Sequence, residues 1–160
     1  RLVGSEMCIR DSFGHVDAIA GVATGAIPQG ALVADALNLP FVYVRSTPKD
    51  HGLENLIEGE LRPGMKVVVV EDLISTGGSS LKAVEAIRRD GCEVIGMVAA
   101  YTYGFPVAEK AFKDAKVPLV TLTNYEAVME VALRTGYIEE EDVETLNEWR
   151  KDPAHWESGK

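Results

Sequence analysis

The chain has 160 residues, 46% of them hydrophobic and 26% charged, which suits a globular protein with a real core. Its net charge of -9, from 16 basic and 25 acidic residues, argues against general binding to nucleic acid or to an anionic membrane. No apolar run approaches the roughly 18 residues of a spanning helix.

Residues 1–12 begin with Arg1 and show neither a clear amphipathic period nor the apolar stretch of a signal peptide. They read as a non-native or disordered leader, with one core domain over 13–160. Cys8 and Cys92 have no metal-ligand spacing, and Cys92, in an apolar stretch, reads as a reduced core thiol. A cytoplasmic protein is expected.

Ala18 to Ala23 predicts a buried strand, Thr24-Gly25-Ala26 a turn, and Ile27 to Leu37 an amphipathic helix with Pro28 in its first turn. Phe41 to Val44 is the next strand. The segment 46–64 is polar, with three glycines and two prolines, and reads mostly as a long mobile loop of the functional kind. Val67 to Val70 is a β-branched run of a strand buried on both faces of a parallel sheet.

Glu71 and Asp72 follow at the end of that strand, where open α/β sheets bind ligands. The small residues Ser75, Thr76, Gly77, Gly78 and Ser79 then open a helix from Ser80 to Asp90. Such a turn offers unblocked N–H groups and a helix N-terminus to a phosphate. Carboxylates accept hydrogen bonds from sugar hydroxyls, so the order of residues describes a cradle for ribose 5-phosphate. It is not a P-loop, because no Lys follows the second glycine.

Further on, Val94 to Ala100 predicts a strand, 108–115 a short helix and 119–122 a strand. Asn124 can cap a helix over 125–134 that Gly136 ends, and an acidic helix starts near 139–141 and runs to about Lys151. Alternating strands and helices indicate a doubly wound, mostly parallel α/β sheet. His15 and His155 lack partners at ligand spacing. Trp149 and Trp156 read as packing residues. Tyr101 to Phe105 lines either a ligand pocket or the edge of the core.

The stretch from Val67 to Ser79 resembles the phosphoribosyl-diphosphate (PRPP) signature of the type I phosphoribosyltransferases. Residues 43–59, with Lys49-Asp50-His51-Gly52 at their centre, look like the catalytic loop of the orotate branch of that family. The resemblance runs from about Phe13 to the C-terminus and implies transfer of phosphoribose from PRPP to orotate in pyrimidine (UMP) synthesis, with Mg²⁺. It assigns Glu71 and Asp72 to the ribose hydroxyls, with Mg²⁺ held through PRPP and water near Asp72, and 75–79 to the 5-phosphate. Thr24 and Gly25 fall at its pyrophosphate loop, where Gly25 is expected to adopt a conformation closed to other residues.

Arg45, Lys49 and His51 are the types that neutralise charge growing on departing pyrophosphate once water is excluded. By resemblance they reach into a partner's site, which implies a homodimer. Two departures stand out: Ser46 replaces a second basic residue after the arginine, and nothing upstream of Phe13 resembles the N-terminal hood over the base. The hood's absence suggests an incomplete, weakly active copy with an open base pocket. A purine acceptor, and a non-catalytic PRPP- or nucleotide-binding regulator, are the alternative readings.

Overall fold

The computed structural model describes residues 3–47 and 56–156. The chain divides into two compact units, Arg1–Asn124 and Tyr125–Lys160, at a junction that no Gly/Pro-rich linker marks.

In the first unit, α1 (Val3–Ser12) precedes β1 (Ala18–Val22), α2 (Ala26–Leu37), β2 (Phe41–Val44), β3 (Ile57–Glu58), β4 (Lys66–Ile74), α3 (Gly78–Arg89), β5 (Glu93–Thr102), α4 (Pro106–Asp114) and β6 (Leu119–Asn124). The sheet order is β3-β2-β1-β4-β5-β6. Every pairing is parallel except β2 with β3. This is the doubly wound α/β sheet that the alternation predicts.

Each face of the sheet has its own core. Val67 and Val69 pack with Ala83, Val84 and Ile87 of α3 and Phe112 of α4. Val68 and Val70 pack on the other side with Ala26, Val33 and Ala34 of α2 and with Ile9. The valine run is therefore buried on both faces, because a parallel strand between two helical layers has no solvent side. Both cysteines are free thiols, and Cys92 is buried.

Three elements differ from the expectations. Residues 3–12 form helix α1 instead of an unordered leader, with Ile9 buried in the core and the following Phe13 beside it. The Phe13 ring takes the space that a side chain on Gly96 would need. Ile57–Glu58, inside the segment read as loop, pairs antiparallel with Tyr43 and Val44. Strand β4 runs on to Ile74, because Glu71 stays in register with Ala99 and Leu73 with Tyr101 of β5. The two acids thus lie within the strand, and α3 starts at Gly78 rather than Ser80.

The second unit holds α5 (Tyr125–Arg134) and α6 (Glu140–Lys151). Gly136, at φ 68°, turns the chain after α5. A reciprocal capping box between Glu139 and Asp142 opens α6. Tyr125 and Trp149 approach with ring centroids 6.1 Å apart, and Arg150 lies 4.7 Å over the Tyr125 ring, so Trp149 is a packing residue here.

Candidate active site

From β1 the chain crosses to β2 on one side, whereas from β4 it crosses to β5 on the other. The loops leaving the C-terminal ends of these neighbouring strands diverge and leave a crevice between them. Ala23, Thr24 and Gly25 form one lip, and Asp72 with the turn 75–79 forms the other.

At the first lip the Ala23–Thr24 peptide is cis, and the Ala23 N–H donates to the Val44 carbonyl at 2.8 Å. Gly25 has φ -62° and ψ -37°, ordinary right-handed helical values, which corrects the expectation of a special conformation. The lack of a side chain there serves a close approach instead. A Cβ on Gly25 would lie 2.6 Å from Cγ of Asp72 and nearer still to its Oδ2.

The two acids of β4 point to opposite faces, as strand alternation requires. Glu71 shares the face of Val67 and Val69 and is 4% exposed. Its Oε2 accepts the Ser80 hydroxyl at 2.7 Å, and its Oε1 accepts the Asp72 N–H at 3.0 Å. Burial is the main reason its pKa rises to about 7; donation from Ser80 works against that rise. Asp72 is half-buried on the crevice side, with Oδ1 accepting the Leu73 N–H at 2.7 Å. The structure therefore places one of the two acids in the crevice and ties the other to α3.

In the turn, Gly77 is left-handed, with φ 82° and ψ 0°, and a Cβ there would meet Cε2 of Phe112 at 2.8 Å. Gly77 accepts the Leu81 N–H at 2.9 Å, which starts α3. Among the described residues, none of the backbone N–H groups of 75–79 donates to a protein acceptor. The turn presents a cluster of amides at a helix N-terminus, the arrangement suited to phosphate oxygens.

Arg45 directly follows β2 and faces Glu58 Oε1 at 3.5 Å. It lines a cavity of about 350 Å³ together with Ser46, Ser79, Lys82 and Arg89. Lys82 and Arg89 did not stand out in the sequence, although their spacing of seven puts them on one helical face. Lys49 and His51 lie outside the described residues. His15 and His155 pair with Asp17 and Asp152 at 2.8 and 2.9 Å, away from the crevice residues in sequence. Tyr101 near the end of β5 and Tyr103 and Phe105 just past it form an aromatic ladder, with centroids 5.0 and 5.3 Å apart.

Among the described residues, no three His, Cys, Asp or Glu side chains gather as a metal site, and no helix is long and apolar enough to cross a membrane. Asp72 fits a Mg²⁺ ion held chiefly by substrate oxygens and water, since that ion needs few protein carboxylates.

The phosphoribosyl transferase domain profile matches residues 5–134. The orotate phosphoribosyltransferase of Bacteroides fragilis is 93% identical over 152 residues, covering 95% of this chain and 72% of that protein. Among solved structures, orotate phosphoribosyltransferase from Aeropyrum pernix superposes with a TM-score of 0.67 at 32% identity, covering 78% of this chain and 68% of that one. Adenine phosphoribosyltransferase from Rhodothermus marinus gives 0.66 at 22% identity, over 78% and 79% of the two chains, a likeness of fold alone. The family profile and the 93% identical relative show that the chain belongs to the phosphoribosyl transferase family and, within it, to the orotate phosphoribosyltransferases.

Proposed function

We propose that the chain transfers phosphoribose from PRPP to orotate, releasing pyrophosphate and forming orotidine 5′-phosphate for UMP synthesis. The observation that carries this reading is the Asp72 carboxylate, set against Gly25 between two open lips of backbone. In the reaction the bond from ribose C1 to pyrophosphate breaks as a bond from C1 to a ring nitrogen of orotate forms, and the proton of that nitrogen passes to pyrophosphate or solvent. Positive charge develops on the ribose ring and negative charge on the departing pyrophosphate.

The amides of 75–79 hold the 5-phosphate and fix the sugar. Asp72 accepts hydrogen bonds from the ribose hydroxyls and favours the cationic ring electrostatically. Thr24, through its hydroxyl, and the Gly25 backbone receive the pyrophosphate. Asp72 would hold a Mg²⁺ ion through water, and that ion would supply neutralisation of the diphosphate charge. Arg45, Lys49 and His51 complete the anion site; Arg can grip two phosphate oxygens at once, while Lys acts as a point charge. In a homodimer these three serve the neighbouring subunit's crevice.

Pyrophosphate release from PRPP, measured with orotate, adenine and xanthine in turn, tests the acceptor. Release that depends on orotate alone is expected; release only with a purine sinks the reading. Mixing Lys49→Ala with Asp72→Asn subunits tests the shared site. Recovery of activity by the mixture supports it, and no recovery removes it.

A further inference from the structure

Glu71 and Ser80 are both nearly sealed from solvent, at 4% and 1% exposure, and they bond to each other across the base of the phosphate turn. Between them the chain leaves β4, makes the bend 75–77 and enters α3. The other Glu71 oxygen holds the Asp72 N–H. One buried carboxylate therefore ties down both ends of the loop that presents the turn amides and the Asp72 peptide.

We propose that Ser80 is a positioning residue, and that its bond to Glu71 forms a clasp setting the shape of the 75–79 turn and hence the grip on the 5-phosphate of PRPP. The inference rests on the PRPP reading of the crevice. Glu71, on this account, acts through geometry and not as a charge against the ribose. Its side chain lies on the α3 face of the sheet, opposite the face on which Asp72 meets Gly25.

The alternative is that Ser80 is merely a satisfied polar group in the core. Losing such a group lowers thermal stability without singling out one substrate. A clasp on the phosphate turn acts selectively on PRPP. The two roles therefore separate in a split of KM against kcat.

The test uses Ser80→Ala, Glu71→Gln and their combination, with steady-state kinetics in each substrate and calorimetric binding of PRPP. Ser80→Ala removes a hydrogen bond to a carboxylate and is expected to raise KM and Kd for PRPP about tenfold. Its kcat and its KM for orotate should stay within about twofold, since the reacting atoms keep their partners. Gln at 71 can still accept the Asp72 N–H through Oε1 and donate to Ser80 Oγ through Nε2. Glu71→Gln therefore keeps both contacts of the clasp and is expected to cost less PRPP affinity than Ser80→Ala. In the double variant, Ala at 80 should cost what it costs alone.

A folded Ser80→Ala protein with unchanged PRPP affinity overturns the clasp, as does a Glu71→Gln loss matching that of Asp72→Asn. Should Ser80→Ala fail to fold, Ser80→Cys, which keeps the volume and weakens the donor, decides by the same comparison of PRPP affinity. Wild-type protein that does not bind PRPP overturns the reading of the crevice and the clasp together. Wild-type binding matched by Ser80→Ala overturns the clasp alone.

Discussion

The carboxylate of Asp72 occupies the space that a side chain on Gly25 would fill, with its Cγ only 2.6 Å from where that Cβ would stand. Gly25 has helical dihedral angles open to any residue and is itself exposed. The contact across the crevice, and not the backbone at Gly25, is what excludes a side chain there.

Gly25→Ala should consequently spare the fold and harm the site. The added methyl pushes Asp72 aside, and a displacement of that size at a reacting centre costs about a hundredfold in kcat/KM for PRPP. A melting temperature close to wild type, measured on the same preparation, accompanies the loss. Retained activity would mean that the crevice re-forms around a moved Asp72.

Asp72→Asn keeps the shape of the side chain and removes its charge. On the role proposed for Asp72, turnover is expected to fall about a hundredfold, because that stabilisation would be greatest when the ribose ring is most cationic. Binding of PRPP, read by calorimetry, should weaken far less. Equal losses in binding and turnover would assign Asp72 to ground-state holding only.

Glu71 gives a pH signature in stability. Its pKa rises from 4.5 to about 7 on folding, chiefly through burial. The folded state thus binds the proton more tightly than the unfolded chain. The stabilisation from that proton is full below pH 4.5 and is lost as pH climbs through about 7. Glu71→Gln abolishes this titration, so its melting temperature should gain on wild type between about pH 5 and about pH 8. A constant gap across that range would show that Glu71 titrates normally.

Gly77→Ala confronts two obstacles at once, a left-handed backbone and the Phe112 ring 2.8 Å from the new Cβ. The backbone alone should cost about 1–3 kcal/mol of stability, read from urea unfolding. A neutral result would require both the turn and Phe112 to relax.

The sequence made the sheet legible wherever the pattern was extreme. Val67 to Val70 could only be a strand between two layers, and both cores now share it. Pro28 in the first turn of α2 and Gly136 beyond α5 marked helix ends by their backbone chemistry. Ile57–Glu58 was hidden because two residues carry no period; their strand exists only through pairing with Tyr43 and Val44. Helix α1 was equally hidden, since Ile9 is, among its described side chains, the one fully buried apolar anchor and Phe13 lies just past its end.

The site was legible in its residue types and less so in their division of labour. Alternation required Glu71 and Asp72 to diverge. Which of them meets the crevice depends on Ser80 and on which helix covers which face, and that is tertiary information. Gly25 was singled out by its place after a strand, yet the reason for it, the proximity of Asp72, spans two distant segments of the chain.

The pairing of β1 with β4, Ala18 beside Val67 through Gly21 beside Val70, joins segments made far apart in time as the chain is synthesised. A nascent polypeptide carrying only the first lip has nothing to close on PRPP. Long-range parallel pairing is slow to nucleate, and the crevice exists only once β1 and β4 have paired. A ligand held between the two lips can bind only that finished pair of strands, so it favours the folded chain by mass action.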